Sequence, residues 1–99
     1  MNTLTILKAL SNEKRLQILE WLKEPGKHFV SAHSDVIKDG VCVGLIEKKT
    51  GLSQSTVSQY LLQLQQAGLI TMERQGQWTY CKYNQKSAKQ FVTQLHKIL

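Results

Sequence analysis

The sequence predicts a mainly α-helical fold carrying one two-stranded β hairpin. Three observations predict it. Apolar residues recur at helical spacing in several stretches of the 99-residue chain. A segment after residue 70 alternates in type, residue by residue, on both sides of Gln75-Gly76. The length fits one domain with one modest core, so a further apolar face would have to be covered by a second copy.

The elements follow in order. In residues 3–10, Leu4, Leu7 and Leu10 lie three apart beside Ile6, an apolar helical stripe. Ser11 or Asn12 can cap a second helix, with Glu13 in the first turn, where the helix dipole favours an anion. Leu16, Ile18, Leu19 and Leu22 form its apolar face, and Pro25-Gly26 stops it. Residues 25–41 mix polar groups with apolar ones and read as a long loop insertion holding at most one turn of helix. Residues 43–50 form a short helix that places Val43, Leu45 and Ile46 inward and Glu47, Lys48 and Lys49 toward water.

Gly51 suits a left-handed C-terminal cap, and Ser53 an N-cap for the next helix, about 54–67. Val57, Leu61 and Leu64 fall at i, i+4 and i+7 and make one buried stripe. The opposite face carries Gln54, Ser55, Ser58, Gln59, Gln63 and Gln66 with no charge, unlike a solvated face built from Lys and Glu pairs. The hairpin spans about 70–83, and a last helix, about 86–98, carries Ala88, Phe91, Val92, Leu95, Ile98 and Leu99 along one side.

Charge indicates the class of partner. Thirteen Lys and Arg against seven Asp and Glu give a net +6. Residues 51–99 hold five basic residues and one acidic, so most of the excess lies in the second half. Such a surface suits a polyanion. The 41% apolar content is ordinary for a folded chain, and no stretch resembles a signal peptide or a membrane span. With two cysteines a disulfide scaffold is not expected, and the chemistry fits a reducing cytoplasm.

The segment at about 43–67 has the order of a helix-turn-helix: short helix, glycine turn, polar-faced helix. A DNA major groove about 12 Å wide admits one such helix. A Gln amide presents a donor and an acceptor in a fork that matches the adenine edge, which suits Gln54 and Gln59. Ser55, Thr56, Ser58 and Gln63 supply further polar groups. Arg74, Gln75 and Gln77 at the hairpin tip can contact phosphate or a narrow minor groove.

Four blocks, in order, carry a family resemblance: residues 10–19 (LSNEKRLQIL), 51–61 (GLSQSTVSQYL), 67–70 (AGLI) and 76–80 (GQWTY). Together they resemble the ArsR (ArsR/SmtB) family of winged helix-turn-helix regulators, over nearly the whole chain except residues 25–41. The resemblance implies a homodimeric bacterial repressor released from its operator by an inducer. It places the dimer interface on the first and last helices, hence on Leu4, Leu7, Phe91, Val92 and Leu95. The partners expected are a near-palindromic double-stranded operator and a second copy of the chain, with no membrane.

The chain departs from the family at the metal sites. Where metal-sensing members carry Cys-Val-Cys, this sequence has Cys42-Val43-Gly44, and a lone thiolate is a poor soft-metal site. The last helix offers only His96. His28, His33, Asp35 and Cys42 are ligand types, but their spacing matches no metal motif. Cys42 and Cys81 read as small apolar core residues, with a redox pair as the alternative. No cofactor is expected. No nucleophile elbow or phosphate-binding glycine loop points to an enzyme. The alternative to a DNA-binding regulator is a winged-helix module that binds protein instead.

Overall fold

The computed structural model describes residues 2–99. Helix α1 (Thr3–Leu10) begins at Asn2, whose side chain accepts from the Thr5 amide. Helix α2 (Glu13–Lys23) begins at Asn12, which accepts from the Arg15 amide, so Asn12 is the cap and Ser11 ends α1. Helix α3 (Pro25–His28) starts directly after α2, because Pro25 is compatible with a first helical position. Then come β1 (Val41–Cys42), α4 (Val43–Thr50), α5 (Gln54–Gln66), β2 (Ile70–Gln75), β3 (Trp78–Tyr83) and α6 (Gln85–Ile98).

The hairpin β2–β3 closes through Gly76 and Gln77, with Gln75 opposite Trp78 and Ile70 opposite Tyr83. Gly76 has φ +64°, which the first central residue of a II′ turn requires. A third strand corrects the two-stranded expectation. β1 pairs antiparallel with β3, Val41 opposite Cys81 and Cys42 opposite Tyr80, giving the order β1-β3-β2. The strand has two residues, too few for alternation to betray it. Gly40 makes the approach possible: its φ is +96°, and a Cβ there would sit 2.8 Å from the Cys81 carbonyl oxygen.

The core joins all the larger elements. Ile6 of α1, Ile18 of α2, Ile46 of α4, Val57, Leu61 and Leu64 of α5, and Ile70 and Cys81 of the sheet are all sealed from solvent. Each apolar side chain of this size contributes about 1.5–3 kcal/mol over its exposed state. One expected face is corrected, that of α2. On α1 the buried residues are Ile6 and Ala9, while Leu4 and Leu7 stand exposed. On α2 Leu16 is exposed, and Ile18 and Leu22 carry the contact. The apolar stripe of each helix is broader than the protomer can cover.

Arg15 ties α1 to α2 and α5. Its Nε donates to the Ala9 carbonyl at 2.8 Å and its Nη2 to the Lys8 carbonyl at 3.2 Å. The Lys8 carbonyl also accepts from the Ser11 amide at 3.2 Å, whereas the Ala9 carbonyl, at the end of α1, depends on Arg15. The guanidinium also lies 5.2 Å from the centre of the Tyr60 ring on α5.

Residues 25–41 are ordered by their own polar groups. The Asp35 carboxylate accepts from the amides of Ile37 and Lys38, and Asp39 accepts from the amide of Asp35. Toward the hairpin, His33 stacks on Trp78 with ring centres 4.4 Å apart and planes 24° from parallel.

Candidate nucleic-acid interface

The turn from α4 into α5 is fixed by short-range hydrogen bonds. Gly51, at φ +70°, donates its amide to the Glu47 carbonyl at 3.0 Å and closes α4. The Thr50 hydroxyl donates to the same carbonyl and accepts from the Leu52 amide. Ser53 caps α5: its Oγ accepts from the Thr56 amide at 3.2 Å and donates to the Thr56 hydroxyl oxygen at 2.8 Å. Val57, Leu61 and Leu64 then point into the core, all fully buried, and their burial sets the rotation of α5. The first two turns of its other side, Gln54, Ser55, Ser58 and Gln59, face solvent.

Two residues assigned to this surface are only partly exposed. Thr56 is half-buried, and its hydroxyl takes part in the Ser53 cap. Gln63 is half-buried as well; its Oε1 is sealed from solvent and finds no hydrogen-bond partner among the described residues. The outward side of α5 continues through exposed Leu62, Gln65 and Gln66, but the capped N-terminal half carries the exposed Gln54, Ser55, Ser58 and Gln59.

The hairpin stands beside that face. Gln54 and Ser58 of α5 and Met72, Gln77 and Thr79 of the hairpin line one open groove of about 390 Å³. Arg74, Gln75 and Gln77 are exposed at the tip, and Arg74 Nε donates to the Gly76 carbonyl at 3.1 Å. Lys48 and Lys49 are both exposed on α4, and Lys49 Nζ also lies 5.0 Å from the Trp21 ring centre.

The residues assigned to the dimer face divide. Leu4, Leu7 and Val92 are exposed, and Leu95 is half-buried. Phe91 is a correction: it is 7% exposed and belongs to the protomer's own core. Exposed Ile98 and Leu99 extend the apolar side of α6 past it. Helices α1 and α6 lie side by side, joined by a hydrogen bond from the Thr3 hydroxyl to the Gln94 amide oxygen at 3.3 Å.

The other candidates are dispersed. His28 leans on Trp21, His33 on Trp78, Asp35 holds its turn and Cys42 is buried. Among the described residues no three of His, Cys, Asp or Glu converge as metal ligands would. Cys42 and Cys81 are both buried, and the β1–β3 register sends them to opposite faces of the sheet. Burial, and secondarily the neighbouring Cys42, pushes the Cys81 thiol up to about 12, so it stays protonated and unreactive at neutral pH.

A capped polar helix after a tight glycine turn, flanked by a basic-tipped hairpin, defines the winged helix-turn-helix class of DNA-binding proteins. Comparison with known proteins agrees. A sequence profile described as "Bacterial regulatory protein, arsR family" matches residues 39–72. The uncharacterized HTH-type transcriptional regulator YbzH of Bacillus subtilis is 50% identical over 88 residues, 88% of each chain. The transcriptional activator HlyU of Vibrio cholerae is 29% identical over 94% of this chain and 73% of its own. A solved HlyU structure from that organism superposes with a TM-score of 0.66 at 28% identity, covering 96% of this chain and 88% of that one. A Mycobacterium bovis domain, Mb0332, described as a homodimeric winged helix-turn-helix DNA-binding domain, gives 0.65 at 27% identity over 94% and 75%. The chain belongs to the arsR family of bacterial regulatory proteins and is a DNA-binding transcriptional regulator.

Sequence reasoning missed β1, the Arg15–Tyr60 stack and the His33–Trp78 stack. All three join residues far apart in sequence, and only the stacked aromatics and arginine, as residue types, hinted at contacts.

Proposed function

We propose that the chain acts as a homodimeric, sequence-specific repressor whose two α5 helices enter successive major grooves of a near-palindromic operator. The observation that carries this reading is the exposed, uncharged Gln54-Ser55-Ser58-Gln59 surface beside the hairpin. In this reading Gln54 and Gln59 hydrogen-bond base edges, and Ser55 and Ser58 let the helix approach closely and bind bases or phosphates. Thr56 holds the helix start through the Ser53 cap rather than reading bases. Arg74, Gln75 and Gln77 grip the backbone on either side. A second copy covers Leu4, Leu7, Val92 and Leu95, and the two α5 helices then address half-sites about 34–36 Å apart. Cytoplasmic residence follows from that role, and among the described residues no helix is long and apolar enough to cross a membrane.

The test is a fluorescence-anisotropy titration against the DNA upstream of the chain's own coding region. Binding is expected to saturate and to weaken steeply with salt, because each phosphate contact releases counterions. Arg74→Ala is expected to weaken specific and random DNA alike. No saturable binding at low salt refutes the proposal.

A further inference from the structure

A second cavity lies apart from the α5 surface. It is a cleft of about 800 Å³ between the end of α2, the segment 36–41, the end of β3 and the first half of α6. Its volume is that of a small-molecule site. Leu22, Val41 and Cys81 form an apolar, fully buried floor. Ile37 and Val92 also line it, yet are 69% and 64% exposed, so the protomer leaves apolar surface uncovered there.

The charges around this apolar floor are mostly positive. Lys23, Lys82 and Lys89 come from three different elements, α2, β3 and α6, and all line the cleft. Glu24 is the one acidic residue lining it, and its carboxylate is held by Lys27 at 2.7 Å. An apolar floor bordered by three lysines is complementary to a molecule with a hydrocarbon body and a single anionic head.

We propose that this cleft binds an apolar monocarboxylate as the effector of DNA binding. The effector role rests on the DNA-binding reading above; the ligand site itself does not. The elements that line the cleft explain how occupancy would be felt. Gly40 and Val41 lead directly into α4 of the helix-turn-helix. Lys82 and Tyr83 belong to the hairpin. Val92 lies both on the cleft wall and on the α6 face assigned to the second copy. A ligand drawing these together shifts the spacing of the two α5 helices, provided it binds the two arrangements unequally.

The test has two arms. In the first, octanoate and 2-naphthoate, with octan-1-ol and 2-naphthalenemethanol as neutral counterparts, are titrated calorimetrically into the intact protein without DNA. Saturable binding of one carboxylate per protomer is expected, tighter than that of the alcohol. In the triple variant Lys23→Gln, Lys82→Gln, Lys89→Gln, carboxylate affinity should fall by about tenfold while alcohol binding is kept. All three side chains are exposed, so folding should survive, and circular dichroism checks it. Ile37→Gln should weaken acid and alcohol alike. The site is refuted if neither carboxylate saturates below about 1 mM, or if the triple variant binds them as well as the native protein does. It is equally refuted if Ile37→Gln turns a dimer into a monomer in sedimentation, which would mean that a second copy fills the cleft.

In the second arm, upstream DNA is titrated with and without octanoate. A change in DNA affinity of at least about threefold, absent from the triple variant, supports the effector role. Octanoate binding with no such change overturns it. If no DNA is bound even without octanoate, the DNA-binding reading fails, and the calorimetric arm still decides the ligand site.

Discussion

Replacing Arg15 tests whether the frame that orients α5 is understood. Arg15→Ala removes a charged, partly buried hydrogen bond to the Ala9 carbonyl and a more exposed one to Lys8. A charge-assisted bond of the first kind contributes about 1.5–3 kcal/mol, and its loss leaves a helix-end carbonyl without a partner. The stack on Tyr60 adds about 0.5–1 kcal/mol. The exposed bond adds little, so the expected destabilisation is about 3 kcal/mol. In a domain of this size that lowers Tm by at least about 10 °C. Arg15→Lys keeps the charge but loses the planar fork, and should cost about half as much. The assay is urea unfolding followed by circular dichroism at fixed protein concentration, since the proposed dimer would make apparent stability depend on concentration. A double-mutant cycle with Tyr60→Leu should show a coupling of about 0.5–1 kcal/mol. The reasoning is refuted if Arg15→Ala stays within about 0.5 kcal/mol of the native protein.

Three further outcomes are expected. Gly40→Ala forces a side chain into φ +96° and against the Cys81 carbonyl, and should destabilise by at least about 1 kcal/mol in the same urea assay, whereas Gly44→Ala, with only the Cys42 sulfur at 4.0 Å, should not unsettle the sheet. The raised Cys81 pKa means the folded state holds its thiol proton more tightly than the unfolded chain does. Its contribution is complete below about pH 9 and is lost as pH climbs toward 12. Stability should fall across that window with a slope approaching about 1.4 kcal/mol per pH step, and Cys81→Ala should abolish that component. Leu4→Glu with Leu7→Glu places charges on the exposed side of α1 and should yield a folded monomer in sedimentation velocity; an unchanged dimer would move the interface elsewhere.

The parts of the fold legible in the sequence are those whose cause is local. Gly51 and Ser53 act on amides within four residues, so the α4–α5 turn could be read from them, as could the turn at Gly76, while the α2 cap was narrowed to Ser11 or Asn12. The stripe Val57-Leu61-Leu64 was equally plain, because α5 buries one narrow face. On α1 and α6 periodicity reveals an apolar side but not what covers it. Ile6 and Phe91 went to the protomer's own core, while Leu4, Leu7 and Val92 were left outside. Gln63 shows the same limit for polar residues, since its helical position suited the outward face and tertiary packing enclosed its oxygen. β1 was invisible because two residues carry no alternation and Cys81, the partner of Val41, lies 40 positions away from it. The cleft joins α2, the segment 36–41, β3 and α6, and has no sequence signature at all.

The account depends most on the outward surface of α5 reading bases. Anisotropy titrations of upstream and random DNA with native protein and with Gln59→Ala test it directly. Loss of an adenine-edge contact should weaken upstream DNA by about 1–3 kcal/mol, roughly five- to a hundredfold, and leave random DNA nearly untouched. Equal weakening of both DNAs, or no change in either, would contradict the claim that Gln59 faces a base.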